Sequence, residues 1–176
     1  MPAAKKSSQA KSSTTKSTSS AAGDAIALLK ADHEEVKQKF DDYQALVDAG
    51  ADGDARGDLA EIICAMLTAH TTIEEEIFYP AARTAIEEAE LLDEAEVEHA
   101  SAKDLIAQLQ DMDPDEPLYD AKLKVLGEYV LHHVQEEEGE MFPAVKKTKL
   151  DLQSLGKKMA VRKGEILTEL GVEAVN

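Results

Sequence analysis

The sequence predicts an all-α fold, an antiparallel up-down four-helix bundle followed by one extra C-terminal helix. Aromatic residues make up 4% of the 176 residues and tryptophan is absent, which disfavours a β-sheet core. From residue 24 onward, apolar residues recur every three or four positions, which is the period of amphipathic helices. Four such helices joined by short connections pack most simply as antiparallel neighbours.

Five helices are predicted in order along the chain. The first four span about residues 24–49, 58–79, 87–109 and 118–141. Glycines 50, 53 and 57 break the chain after the first helix, and the two prolines of "DMDPDEP" mark the loop before the fourth. Pro80 and Pro143 are expected to end or kink the second and fourth helices. The fifth helix, within residues 150–170, is expected to be interrupted or frayed near its glycines and to lie across the bundle.

Composition divides the chain into three predicted segments. They are a disordered basic low-complexity tail (1–23), the bundle (24–147) and a C-terminal helical extension (148–176). The tail holds four lysines and no acidic residue, so it carries +4, and because the whole chain carries −17, residues 24–176 carry −21. So acidic a body repels nucleic acid and anionic membranes, and we expect a monomer or a weak oligomer.

Cysteine usage and hydropathy indicate a cytoplasmic protein. The single cysteine, Cys64, excludes an internal disulfide and a cysteine-based metal cluster, and fits a reducing compartment. No apolar stretch reaches the roughly 18 residues that a membrane span needs. The polar N-terminus lacks the apolar segment of a secretory signal.

One motif occurs twice. "HTTIEEEIFYP" (70–80) is followed by "HVQEEEGEMFP" (133–143), and in each copy a glutamate follows the histidine by four residues and a proline follows it by ten. Residues four apart share one face of a helix, so the two side chains of each pair can reach one point. A further histidine precedes each copy, His33 before the first and His99 before the second.

Four histidines, one per helix, and two glutamates lie on the apolar faces, where a carboxylate without a partner costs several kcal/mol. Two dications bridged by Glu74 and Glu137 would cancel most of that charge. Imidazole and carboxylate ligands suit iron, and also manganese or zinc. The candidate metal ligands are His33, His70, Glu74, His99, His133 and Glu137.

Alternatives to this interpretation are less favoured. A single histidine on an apolar face usually belongs to the core, but four of them with two matched glutamates favour a metal site. Ferritin-like bundles use Glu-x-x-His and further glutamates, so the His-x-x-x-Glu order excludes them. Glu138 is a reserve ligand if the fourth helix bulges, and His132 is expected to point elsewhere. Met66, Met141 and Cys64 are expected to be packing residues.

These residues, with the "FYP" and "MFP" ends, make residues 24–147 similar to hemerythrin-like proteins of the bacterial HHE cation-binding class. The resemblance implies two non-haem iron ions with an oxo or hydroxo bridge. Oxygen carriers of this family have a second histidine one turn after the third-helix ligand, where this chain has Lys103. Solvent, a carboxylate or a tyrosine would replace it. Tyr129 is the nearby candidate, although a rim aromatic is the favoured interpretation.

The resemblance implies two functions. The first is a di-iron protein of oxidative or nitrosative stress that reacts with O2, H2O2 or NO, with catalase-like peroxide decomposition as its candidate enzyme activity. The alternative is a module that binds, senses or stores oxygen or iron without turnover. The absent histidine favours peroxide chemistry over reversible oxygen carriage.

Overall fold

The computed structural model describes residues 23–172, so the predicted tail lies outside the described residues except for Gly23. Seven α-helices and two π-helical turns make up this part of the chain. The π-helical turns are Glu74–Phe78 and Glu137–Met141. The α-helices are α1 (Ala25–Asp48), α2 (Gly53–Ile73), α3 (Tyr79–Arg83), α4 (Ala89–Gln110), α5 (Tyr119–Glu136), α6 (Phe142–Lys146) and α7 (Leu152–Glu169).

Helices α1, α2, α4 and α5 form the predicted four-helix bundle. Each of α1 and α4 packs against both α2 and α5, so the four helices close a ring. Asp24 and Asp52 cap the first two helices, because each carboxylate accepts a hydrogen bond at 2.9 Å from a backbone N–H of the first turn. Gly53 and Gly57, expected in the connecting loop, instead lie in α2. The all-α bundle with an extra C-terminal helix is confirmed.

Both helices that carry the repeated motif pass through a π-helical turn and do not end at the proline. Pro80 and Pro143 have no N–H to donate to the carbonyl four residues back. The residue before each proline donates to a carbonyl five residues back, that of Glu74 in the first copy and Glu137 in the second. The helices then continue as α3 and α6. Such π-bulges occur frequently at functional sites.

Helix α7 is continuous, against the expectation that its glycines would interrupt it. A Cβ at Gly156 would lie 2.7 Å from the carbonyl oxygen of Gly23, so this glycine permits the close approach of α7 to the start of α1. Helix α7 packs on α1, α2 and the first π-helical turn. Among the helices of residues 23–172, none has the length and apolar character that a membrane crossing requires.

The apolar core consists of two clusters with a polar layer between them. On α1, for example, His33 separates Leu29 of one cluster from Val36 of the other. Cys64 and Met141 are both 2% exposed and belong to the clusters, as expected of packing residues. The polar layer contains the buried polar and charged residues of the bundle: Asp32, His33, His70, Thr71, Glu74, His99, His133 and Glu137.

Candidate metal centre

Each of the four bundle helices places one buried histidine in the polar layer. The imidazole ring of His33 on α1 lies 4.9 Å, centroid to centroid, from that of His70 on α2. The rings of His99 on α4 and His133 on α5 are 4.7 Å apart. Each half of the repeat therefore contributes one close pair. The side chain of His132 is 64% exposed and lies outside the layer.

The two glutamates of the repeated motif connect these pairs. Oε2 of Glu74 lies 3.2 Å from Nε2 of His70 and 3.4 Å from Nε2 of His99. Oε2 of Glu137 lies 3.2 Å from Nε2 of the α1 histidine and 3.6 Å from Nε2 of the α5 histidine. Each carboxylate thus contacts one histidine of each pair, and both are buried, with exposures of 0% and 1%.

The structure brings the six candidate residues together in two groups of donor atoms that share Glu74. The donor atoms of each group all lie within 4.8 Å of one another. Two atoms that bind one ion at about 2.1 Å and subtend roughly a right angle or slightly more lie about 3.0–3.4 Å apart, close to the observed contacts. The groups are His33, His70, Glu74 and Glu137, and Glu74, His99 and His133.

Several buried donor atoms of this layer have no hydrogen-bond partner among the described residues. They are Nε2 of His33 and of His70, both carboxylate oxygens of Glu74, and Oε2 of Glu137. The 3.2 Å approaches between them lack hydrogen-bond geometry. Buried polar atoms are nearly always satisfied, and an unpaired buried carboxylate is costly. A cation coordinated by these atoms would satisfy them, so the residues present fit a metal.

The outward nitrogen of every histidine in the layer faces a carboxylate. A hydrogen on Nδ1 satisfies this contact and leaves the lone pair of Nε2 directed at the centre, which is the arrangement of metal-binding histidines. The pairs and their Nδ1–oxygen distances are His33–Glu138 (2.9 Å), His70–Asp32 (3.4 Å), His99–Glu75 (3.0 Å) and His133–Glu98 (2.8 Å).

Glu138, the reserve ligand, and Lys103, at the position of the missing histidine, take part in these outer contacts. Glu138 faces Nδ1 of His33 and pairs with Lys30, so it lies on the outer side of the histidine. Nζ of Lys103 lies 2.7 Å and 2.6 Å from the two carboxylate oxygens of Glu75. Lys103 therefore supports the carboxylate behind His99.

Charges within the layer stabilise one another. Burial alone would lower the pKa of His70, but the carboxylates of Glu74 and Asp32 outweigh it and raise this pKa to about 10. Burial alone would raise the pKa of Glu74, yet His70 and His99 hold it well below its usual range. A metal ion at Nε2 would replace this proton as the source of positive charge, since ligand histidines are deprotonated.

Tyr79, which the sequence analysis did not single out, lies at the centre of the site. Its hydroxyl donates a hydrogen bond to Oε1 of Glu137 at 3.1 Å and lies 3.3 Å from Nε2 of His99. Burial and the carboxylates of Glu74 and Glu137 raise the pKa of Tyr79 well above its usual value. Tyr129, the tyrosine named from the sequence, is 49% exposed. The only feature of the sequence that could have indicated Tyr79 is that the first copy of the motif ends in "FYP" and the second in "MFP".

A cavity of about 40 Å³ lies against all four histidines. Its walls include Val36, Leu67 and Val130, while the partly exposed Tyr129 and Lys163 stand at its edge. A cavity needs roughly 10–15 Å³ to hold one water molecule, and pockets for organic ligands measure about 300–1,000 Å³. The cavity therefore has room for a molecule as small as O2, NO or H2O2 and is too small for an organic substrate.

The chain is similar to known proteins in sequence and in fold. The chain belongs to the hemerythrin HHE cation binding domain family, whose family model matches residues 24–145. A hemerythrin HHE cation binding domain-containing protein from Mycobacterium kansasii has a similar crystal structure. The TM-score is 0.69 and the identity 26%, over 84% of this chain and 89% of that chain.

A second similar protein is a DNA nickase of Nostoc sp., which is 32% identical to this chain over 80 residues. The match covers 46% of this chain and 22% of the nickase. The chain therefore spans about a fifth of the length of that relative.

Proposed function

We propose that the protein is a non-haem di-iron protein that decomposes hydrogen peroxide in a catalase-like reaction. The observation that carries the proposal is Glu74, a buried carboxylate with no hydrogen-bond partner among residues 23–172 that belongs to both groups of donor atoms. The iron ligands are His33, His70, Glu74, His99, His133 and Glu137.

Iron is preferred over zinc because the reaction needs a redox metal, and over manganese because four of the six donors are imidazoles, which suit iron better. Two irons held by these six residues would supply the redox chemistry, two electrons passing to one peroxide and being recovered from a second. One H2O2 thereby becomes two molecules of water, and the other becomes O2. Protons and electrons balance over the pair without another reductant.

The residues of this chain bind the metal ions, orient the ligand histidines and exclude large molecules. Carboxylates behind each histidine orient Nε2 toward the centre. Tyr79, whose raised pKa keeps its proton in place, donates a hydrogen bond to Glu137 within the layer. The small, largely apolar cavity admits peroxide, O2 or NO and excludes larger substrates.

DNA nicking is not carried over from the Nostoc relative. The match covers 22% of that protein, and the −21 charge of residues 24–176 would repel DNA phosphates. The buried free thiol of Cys64 suits a reducing compartment such as the cytoplasm.

The test is performed on the iron-loaded full-length chain. Elemental analysis should give two irons per chain, and an oxygen electrode should record O2 release on addition of H2O2, with none from Glu74→Gln. Zinc retained in the presence of excess iron would overturn the di-iron proposal. Reversible O2 binding by the reduced protein, with H2O2 left unconsumed, would replace it by the binding, sensing or storage alternative.

A further inference from the structure

Helix α7 begins after the last residue that the family model matches, yet it contacts the surroundings of the metal centre. It carries four basic and two acidic residues in an otherwise acidic body. Two consecutive basic side chains reach carboxylates beside the candidate ligands. Arg162 pairs with Glu76 through two contacts of 2.8 Å and 3.1 Å, and Nζ of Lys163 lies 2.6 Å from Oδ1 of Asp32.

Asp32 connects Lys163 to His70. Its Oδ1 accepts from Lys163, while its Oδ2 faces Nδ1 of His70 at 3.4 Å. The Asp32 side chain is 11% exposed, whereas the carboxylates behind the other three histidines are 24–31% exposed. Asp32 is therefore the one with least access to water, and Lys163 is its closest partner. Asp32 thus contacts Lys163 on one side and His70 on the other.

Lys163 also lines the cavity beside His70. The two other lysines that clamp an orienting carboxylate, Lys30 and Lys103, belong to bundle helices and serve more exposed glutamates. The contact from α7 therefore bears on one of the two donor groups, the one that contains His70.

We propose that Lys163 is a positioning residue of the metal centre. It holds the carboxylate of Asp32, and Asp32 in turn fixes the orientation of the His70 ring. The affinity for one of the two metal ions therefore depends on Lys163. This inference rests on the proposed metal site and is independent of the peroxide reaction. A helix outside the bundle thus sets how firmly the ion in the His33–His70 group is retained, while the ion in the His99–His133 group is unaffected.

Iron release from the loaded full-length protein tests the proposal. The chain is reduced and mixed with an excess of a water-soluble ferrous chelator, and the coloured complex is followed with time. In Lys163→Met, half of the iron should leave faster than in the parent chain, by at most about 10–100-fold, the factor that loss of the histidine's own outer partner, here Asp32, typically costs in metal binding. The other half should leave at the original rate.

Two variants control for charge and for general loosening of α7. Lys158→Met removes an exposed lysine of the same helix and should release iron like the parent chain, and Lys163→Arg should largely restore slow release. The proposal is overturned if Lys163→Met matches Lys158→Met, or if both irons are released faster to the same degree, which is the result of a merely structural role.

A third variant tests the route through Asp32 with α7 left intact. Asp32→Asn should reproduce the fast release of half of the iron, and adding Lys163→Met to it should give no further increase, because coupled residues are not additive. Additive effects would overturn the route. Two tightly bound irons without peroxide consumption would refute the proposed function and leave this inference standing, whereas a parent chain that binds no iron refutes both.

Discussion

The two halves of the bundle share one ligand pattern but surround it differently. Each half supplies a histidine, a His-x-x-x-Glu pair and a π-helical turn that ends two residues before a proline. The aromatic residue before each proline stacks on a histidine of the opposite half, Tyr79 on His99 and Phe142 on His33, with centroids 5.4 Å and 5.8 Å apart. Tyr79 carries a hydroxyl and Phe142 does not. The repeat provides the same metal-ligand residues in both halves. Differences between the two copies at single positions make the surroundings of these ligands unequal.

A second asymmetry comes from the elements outside the repeat. Helix α7 packs on α1, α2 and the first π-helical turn, so it covers the first half. Glu74 of that half belongs to both groups of donor atoms, whereas Glu137 belongs to one. Two ions held in this layer are therefore expected to differ in affinity.

The largest effect should come from exchanging the two central glutamates for glutamine. Glu74→Gln should lose essentially all bound iron, because both donor groups lose a charged ligand, whereas Glu137→Gln should retain close to one iron per chain. Elemental analysis measures both. Glu136→Gln, a surface change on α5, should retain two. Equal losses from the two central variants would mean that the halves are equivalent after all.

Metal removal should have the next largest effect. A ligand that binds only the folded state at a thousandfold excess over its Kd adds about 4 kcal/mol to the unfolding free energy, so a chelator should lower the melting temperature of the iron-loaded chain by many degrees. The melting temperature of Glu74→Gln should change little when the chelator is added. Without metal this variant should melt below the parent chain, because the buried histidines whose charge holds the pKa of Glu74 down lose their counter-charge. A parent chain whose melting temperature does not respond to the chelator would contradict this explanation.

What the sequence could predict follows from how local each feature is. The histidines and the glutamates four residues after them share a helix face, so periodicity alone predicted that they would meet. Periodicity could not predict which carboxylates orient the histidines. Glu75 and Glu138 belong to runs of glutamates, and only their neighbours in the folded chain distinguish an orienting glutamate from a solvated one.

The π-helical turns were also beyond sequence reasoning, for a different reason. A proline in a helical pattern signals a lost hydrogen bond, but it does not say whether the chain ends, kinks or inserts a residue into the turn. Tyr79 reaches the centre because the first copy inserts one residue at this point. The Lys163–Asp32 contact joins positions 131 residues apart, which no local pattern specifies.

An intermediate effect is expected from making the two halves alike at the aromatic position. Tyr79→Phe removes the hydrogen bond to Glu137 and leaves its Oε1 without that donor, which should lower the unfolding free energy of the metal-free protein by about 1–3 kcal/mol. Urea denaturation measures the change. Tyr129→Phe, whose hydroxyl is at the surface, should stay within about 0.5 kcal/mol of the parent chain. Similar unfolding free energies for both variants would show that the Tyr79 hydroxyl does not contribute to the difference between the two halves.

The smallest effect on the centre is expected at Cys64, which corresponds to Gly127 in the second copy of the repeat. Cys64 packs in the apolar cluster of α2 and is 2% exposed, whereas a Cβ at Gly127 would lie 3.1 Å from the ring of Phe40. Burial raises the pKa of the Cys64 thiol to about 11 from an ordinary value of 9.0. At pH 8 the thiolate is therefore about a hundredfold scarcer than for an exposed thiol. A coloured disulfide reagent should react slowly with the native chain and rapidly in denaturant, and Cys64→Ala should keep the full iron content. Fast reaction of the native chain would show that α2 opens beside the centre despite its cover by α7.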